Sequence, residues 1–329
     1  MINVSQTRRV LFIRTDRLGE TLLNLPAAAA LKHALPNASL TLLVQAALEP
    51  LLVSAQGVDR VITDDLLAGP WWQRAIRLGQ RLRPHRFDLA IVSNPKKELH
   101  AAAWLAGIPC RVGYGRKWGW LLTHRLQDRK ALGERHEVEY NLDLIQALGL
   151  PTSVPEWHFP RFAREQAEVF QLLERQGVDS SRPFIAVHPW TSNSAKAWPA
   201  ERYRVVIQQA VASLGVQVVV IGGSEEEQRA PLLVPEGRAV ANLVGRLSLR
   251  QLAALLQCAQ LLVSNDSGPV HLAAAVNTKT LVLFGTSNRA TGPGRWGPWG
   301  SGHAVMWKPS MDAITVDEVF AALRRVLQG

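Results

Sequence analysis

Three polar stretches carry residue types that could do chemistry. Ser264-Asn265-Asp266-Ser267-Gly268-Pro269-Val270-His271 brings a carboxylate, an imidazole and two hydroxyls into one turn. His188-Pro189-Trp190-Thr191-Ser192-Asn193-Ser194-Ala195-Lys196 adds hydroxyl donors and a lysine. Thr15-Asp16-Arg17-Leu18-Gly19-Glu20 sets two carboxylates around a glycine. Each stretch follows a short apolar run, and the first leads into the small-residue helix former Leu272-Ala273-Ala274-Ala275. A helix that starts at the C-terminal end of a strand presents free N–H groups to anions, and open α/β sheets bind ligands at those ends. The implied chemistry is a phosphate-bearing ligand at Ser267 and Gly268, with Asp266 and His271 beside it. Thr191 and Ser192 can donate to phosphate, and Lys196 can neutralise it as a point charge. Asp16 or Glu20 could act as a general base. An ordinary capped turn wants the same residue types. Ser264, Asn265 and Asp266 can each cap the helix that follows. Asp16 suits an N-cap, and Glu20 suits a first helical turn, where the dipole favours negative charge. Glu225 and Glu226, after Gly222-Gly223, could accept from ribose hydroxyls or again serve a helix start.

The elements that must position these residues alternate in type. Continuous apolar runs at 9–14, 39–45, 60–63 and 87–93, with a shorter one near 111–113, read as strands buried on both faces. Helical patterns intervene at about 20–34, 49–55, 71–82 and 98–106. Strands alternating with helices indicate parallel βαβ units. Residues 151–160 carry three prolines and no period, and read as an interdomain linker. A helix at 164–176 leads into a second α/β half. Its strands are expected at 184–188, 217–222, 260–264 and 280–284, and its helices at 201–212, from 224, at 249–257 and at 316–327. Residues 285–300, rich in Gly, Pro and Trp, are expected to form a long surface loop. The domains are placed at 1–155 and 156–329, and the last helix is allowed to pack back on the first domain. Two such halves suggest a ligand cleft between them.

Composition narrows the function classes. The chain has 329 residues, 47% hydrophobic content and two cysteines, Cys110 and Cys258, far apart. They form no CxxC pair or disulfide framework, which suits a reducing cytoplasm. No Cys/His cluster has metal-ligand spacing, and no DxD motif calls for a divalent cation. No apolar stretch reaches the ~18 residues of a membrane span, and the early apolar run is too short for a signal peptide. GxGxxG and the Walker lysine are both missing. Between residues 71 and 130 lie thirteen basic and three acidic residues, so this one segment matches the net charge of the whole chain, +10. Such a patch attracts polyanions. Trp71, Trp72, Trp118 and Trp120 lie among these charges, a combination suited to a membrane interface. No nucleic-acid-binding motif accompanies it, and nucleic acid is not expected as a partner.

Several of these stretches resemble the heptosyltransferases of bacterial lipopolysaccharide synthesis, glycosyltransferase family 9. Arg14-Thr15-Asp16-Arg17-Leu18-Gly19-Glu20-Thr21 looks like that family's first βα turn. Residues 264–275 are close to its donor-site signature. Phe284-Gly285-Thr286-Ser287 with Thr291-Gly292-Pro293 resembles its next loop, and Lys196-Ala197-Trp198-Pro199 and Leu105-Ala106-Gly107-Ile108-Pro109 agree in order. The resemblance implies a GT-B fold of two Rossmann-like domains, the first binding the acceptor and the second the nucleotide sugar. It implies metal-independent, inverting transfer of a heptose, typically from ADP-heptose, to an anionic lipid A–Kdo type acceptor, without a cofactor. The enzyme would be cytoplasmic and peripheral to the inner membrane. By position, Thr191, Ser192 and Lys196 would bind the diphosphate, and Glu225 or Glu226 the ribose. Asp266 would contact the heptose, with Ser267, Gly268 and His271 around the phosphates. Lys97 would lie near the acceptor, with Arg116 and Lys117 from the basic segment. The family's usual base is an Asp where this chain has Glu20. Glu keeps the carboxylate and a similar intrinsic pKa but adds a methylene, and about 1 Å of misplacement can cost ~100-fold in rate. Asp16 could share the role. A sugar-nucleotide epimerase of similar fold and a nucleotide-sugar-binding homologue with impaired catalysis are the competing readings.

Overall fold

The computed structural model describes residues 4–64, 69–234 and 239–328. The chain divides into two compact units, Met1–Pro160 and Arg161–Gly329. The expected linker belongs to the first unit. Its Trp157 Nε1 donates to the Gln56 carbonyl at 2.9 Å, and Phe159 is buried.

In the first unit the strands are β1 (Arg9–Ile13), β2 (Ser39–Gln45), β3 (Arg60–Asp64), β4 (Leu89–Val92), β5 (Cys110–Tyr114) and β6 (His124–Leu126). Their order is β3-β2-β1-β4-β5-β6, and all the pairings are parallel. The helices are α1 (Leu18–Leu22), α2 (Leu25–Ala34), α3 (Glu49–Leu52), α4 (Trp71–Leu82), α5 (Lys97–Leu105) and α6 (Glu137–Gln146). A parallel sheet must be covered on both faces, which accounts for the near-continuous burial of β1, β2 and β4. Leu11, Ile13, Leu43, Ala90 and Val92 meet Leu78, Leu82, Leu99 and Ala102 from α4 and α5 in one core.

The single helix expected from residue 20 to 34 is two. Pro26 has no N–H to give the Leu22 carbonyl, so the chain breaks after α1 and restarts with Pro26 in the first turn of α2. Asn24 Nδ2 donates to the Glu20 carbonyl at 2.6 Å, and Asn141 Nδ2 of α6 donates to the Leu23 carbonyl at 3.0 Å. Helix α6 was not anticipated. Its N-cap is His136, whose Nδ1 accepts from the Val138 N–H at 3.2 Å, while Glu139 accepts from the His136 N–H at 2.8 Å.

The second unit repeats the permutation. Its strands are β7 (Phe184–His188), β8 (Gln217–Val220), β9 (Val240–Asn242), β10 (Leu261–Asn265), β11 (Thr280–Gly285) and β12 (Ala304–Lys308), in the order β12-β11-β10-β7-β8-β9. These pairings too are parallel. Its helices are α7 (Ala163–Arg175), α8 (Ala200–Leu214), α9 (Leu249–Cys258), α10 (Gly268–Ala275), α11 (Pro293–Trp296) and α12 (Val316–Gln328). The segment from Ser224 to Leu232 is a 3-10 helix with Pro231 inside. The 285–300 region is not a bare loop, since it holds a 3-10 turn and α11. The last helix buries Val319 and Leu323 in the core of its own unit, beside Val206 and Ile207 of α8. In each unit the chain starts mid-sheet, fills one side, then crosses to the other. The order therefore reverses between β1 and β4, and between β7 and β10, and such reversals open a crevice at the strand C-termini.

Candidate functional site

At the β1/β4 reversal, the chain leaves β1 through Arg14, Thr15 and Asp16 and enters α1. The Asp16 carboxylate forms ion pairs with Arg14 Nε at 3.1 Å and Lys96 Nζ at 2.9 Å, and accepts from Asn94 Nδ2 at 3.1 Å. Lys96 Nζ also donates to the Thr15 carbonyl at 3.2 Å. Behind this cluster the buried Glu137 lies 3.7 Å from Arg14 Nη1 and 2.6 Å from Lys130 Nζ. Lys130 in turn lies over the Tyr114 ring, 4.5 Å from its centroid. Burial raises the Asp16 pKa, but Arg14, Lys96 and Asn94 together outweigh it and hold the group below its ordinary value. Asp16 is thus an ionised, fully engaged anchor and a poor proton acceptor. Glu20 sits one turn further on, in the first turn of α1. It is half-buried, and its carboxylate enters no hydrogen bond or ion pair among the described residues. The two carboxylates that the sequence left as alternatives are therefore unlike: one is locked and the other is available.

The three candidate acceptor-binding cations lie elsewhere on this unit. Lys97 Nζ sits over the Trp71 ring, 4.6 Å from its centroid. Arg116 Nε pairs with Asp128 at 3.2 Å. Lys117 is exposed, with a backbone φ of 51°. No hydrogen bond or ion pair links these three to Asp16 or Glu20 among the described residues. Beside Arg14, the lysine that meets Asp16 at the β1/β4 crevice is Lys96, the sequence neighbour of Lys97. Its signal was its place just after β4, which matters only once β4 is known to lie beside β1.

At the β7/β10 reversal, Lys196 Nζ and Asp266 Oδ2 face each other at 2.5 Å. They line a pocket of about 110 Å³ with Asn193, Gly285, Thr286 and Thr291. Thr191 Oγ1 accepts from the Asn193 N–H at 3.4 Å, and Ser192 is exposed in the same loop. Ser267 is the N-cap residue of α10, but its side chain caps nothing. Its hydroxyl lies 3.0 Å from Ser264 Oγ and 3.1 Å from His188 Nδ1. Burial pushes the His188 pKa down to about 4, so near neutral pH the imidazole is uncharged.

The three expected caps of α10 all do other work. Ser264 joins the His188 cluster and Asp266 meets Lys196. Asn265 is a pin, with Nδ2 donating to the Pro189 carbonyl at 2.8 Å and Oδ1 accepting from Tyr203 Oη at 2.9 Å and from the Trp198 N–H at 3.3 Å. Trp198 is buried edge-on against Tyr203 and donates to the Ile314 carbonyl at 2.9 Å. That anchors the start of α8 and fixes the loop carrying Lys196. Gly268 opens α10 with Pro269 behind it, and His271 is buried one turn along. Glu226 Oε2 accepts from the Gly223 N–H at 2.7 Å, so it closes the first turn of its 3-10 helix, while Glu225 is exposed. Among the described residues, no cluster of three or more His, Cys, Asp or Glu is placed to hold a metal ion.

Each of the two Rossmann-like units thus has a reversal crevice, one with an available carboxylate and one with a lysine and a helix start. The profile of glycosyltransferase family 9 (heptosyltransferase) matches residues 75–319. A protein of Haemophilus influenzae named as a glycosyltransferase is 31% identical, over 88% of this chain and 86% of its own length. Lipopolysaccharide heptosyltransferase 2 of Escherichia coli is 26% identical, over 85% of this chain and 83% of its own. The solved structure of the E. coli ADP-heptose heptosyltransferase II superposes with a TM-score of 0.83 at 24% identity, covering 97% and 98% of the two chains. The likeness in fold is to a GT-B enzyme, and the profile match and the Haemophilus relative both span most of the chain: it belongs to glycosyltransferase family 9, the heptosyltransferases.

Proposed function

We propose that this glycosyltransferase moves a heptose from a nucleotide sugar, ADP-heptose, to an anionic lipid A–Kdo type acceptor of the lipopolysaccharide core. It inverts the anomeric centre, needs no metal or other cofactor, and works in the cytoplasm at the inner face of the inner membrane as a peripheral protein. The names of its relatives support the donor and the pathway. The observation that carries the mechanism is the difference between its two carboxylates. With Asp16 neutralised by two cations and an amide, Glu20 is the group able to take a proton.

In this reading Glu20 accepts the proton of an acceptor hydroxyl. The acceptor oxygen forms a bond to the anomeric carbon as the bond from that carbon to the diphosphate oxygen breaks on the opposite face. Negative charge then develops on the departing diphosphate. Lys196 turns from Asp266 to that phosphate, and the start of α10 at Ser267 and Gly268 adds its dipole. With Lys196 turned to the phosphate, the Asp266 carboxylate accepts from sugar hydroxyls. Thr191 and Ser192 donate to the diphosphate, His271 supports the helix start, and Glu225, the exposed member of its pair, serves the ribose.

The test is ADP release from ADP-heptose with and without a lipid A–Kdo acceptor. Acceptor-dependent release is expected. Glu20→Ala should lower it by a factor on the order of 10²–10⁴ and leave the donor Kd unchanged in a titration. Transfer within a few-fold of wild type would reject Glu20 as the base. Conversion of the donor without an acceptor would point to an epimerase, and donor binding with no turnover to an impaired homologue.

A further inference from the structure

The β1/β4 crevice does not use the tryptophans of the basic segment, and their placement has a consequence of its own. Helix α4 packs against α5 so closely that a Cβ on Gly79 would lie 2.8 Å from the Leu105 Cβ and 3.2 Å from the Ala102 carbonyl. Contact at that level drives the larger side chains of both helices outward. With the loop from Arg116 to Leu121 they line an open, almost wholly apolar groove of about 170 Å³. Of the thirteen exposed large apolar side chains among the described residues, six line it: Trp72, Ile76, Trp104, Leu105, Trp118 and Trp120. Trp120 is 66% exposed and Trp104 53%. Stray exposed apolar residues need no explanation, but a contiguous patch marks an interaction site.

The charge around the groove identifies the partner. Lys97 stands over Trp71, which forms one wall. Arg116 and Lys117 lead into Trp118, and Arg77 lies exposed on α4. The segment carrying all of these holds the chain's +10. Tryptophan is amphipathic and collects at the boundary between headgroups and acyl chains. Each nearby basic residue adds about 1 kcal/mol of attraction to an anionic leaflet.

We infer that this groove is the surface by which the protein docks on an anionic phospholipid bilayer, with Trp72, Trp104 and Trp120 entering the interface and the neighbouring cations meeting the headgroups. The inference rests on the peripheral-membrane part of the proposed function and assigns its surface.

The test is cosedimentation of the full-length protein, without donor, with vesicles of phosphatidylethanolamine and phosphatidylglycerol or of phosphatidylcholine alone. The protein should bind the anionic vesicles, bind phosphatidylcholine at least ~10-fold more weakly, and lose affinity in high salt. Its tryptophan emission should shift to the blue and be quenched by brominated acyl chains. The triple variant Trp72→Ala/Trp104→Ala/Trp120→Ala should lose at least ~10-fold in vesicle affinity. Leu132→Ala, which is exposed but outside the groove, should lose none. Transfer to a deacylated, water-soluble acceptor should be the same in all three proteins, which certifies their folding. Unchanged vesicle affinity in the triple variant overturns the proposal, as does binding that ignores lipid charge or an absence of vesicle binding. Absence of transfer to the soluble acceptor in every protein would count against the proposed reaction and leave the vesicle result standing.

Discussion

Asp16 and Glu20 are chemically alike and only four residues apart, yet their surroundings divide their roles. A carboxylate held by Arg14, Lys96 and Asn94 has little basicity left, while Glu20 has no such partners among the described residues. The same reasoning applies to Lys196. Its partner Asp266 has a side chain only 10% exposed, so removing the lysine takes away the positive charge that faces this carboxylate where a diphosphate is to bind. Lys196→Ala should therefore lower kcat/KM by about 10²–10³-fold and weaken donor binding as well. The double variant Lys196→Ala/Asp266→Asn should bind donor more tightly than the single one, because the repulsion is gone. Calorimetric titration of the four proteins in a double-mutant cycle measures this coupling. Strictly additive effects would show that the 2.5 Å pair plays no part in donor affinity.

The elements are placed by close approaches as much as by apolar burial. Gly285 ends β11 at the pocket wall, and a Cβ there would run into the backbone of Ser310 and Met311. Backbone cannot step aside as a flexible side chain can. Gly285→Ala should therefore destabilise the protein by about 1–3 kcal/mol, lowering the melting temperature by roughly 2–4 °C per kcal/mol, and should weaken donor binding. Gly294 has nothing within 4 Å of its would-be Cβ, so Gly294→Ala should leave the melting temperature within about 1 °C. Thermal unfolding of both variants decides the matter. The break between α1 and α2 follows a similar logic. Pro26 withdraws one N–H, Asn24 and Asn141 satisfy nearby carbonyls, and Glu20 ends up on a short helix of its own.

Across the whole molecule, two of the buried histidines, His188 and His100, are pushed low enough to respond to mild acid. His188 in the second unit is pushed down to about 4 by burial. His100 in the first unit is pushed to about 4 by burial and then by the charge of Lys117. In the unfolded chain both return to about 6.5. Between pH 6.5 and 4 the unfolded state therefore binds more protons, and stability falls as pH drops through that window. Above pH 6.5 both states are neutral and the contribution is flat. Asp16, also held low, loses its stabilising charge only below its ordinary value of 3.8, so the upper window belongs to the histidines. Urea midpoints at pH 7.5 and 5 should differ by an amount on the order of 2 kcal/mol per histidine. His188→Asn should flatten the slope, and an unchanged slope would show that His188 is not its source.

Much was legible in the residue string, for physical reasons. Continuous apolar runs broken by helical periods can only be covered as parallel βαβ units, so the two α/β halves and most of their strands followed from pattern alone. The turn at Ser264–His271 and the loop to Lys196 stood out as candidates because hydroxyls, a lysine and a carboxylate follow buried strands. The short edge strands did not show, β6 and β12 because their half-exposed residues carry too little pattern and β9 because three residues are too few to show one, and α6 did not because its cap is a histidine. What only the tertiary structure decided was which strands are neighbours. That order sets Lys96 rather than Lys97 on Asp16, turns Asn265 into a pin and Ser267 into a partner of His188, and gathers five tryptophans from three segments into one groove. Spacing along the chain reports residue type and local period. Contacts between residues 70 or 80 positions apart depend on sheet order, which no local pattern encodes.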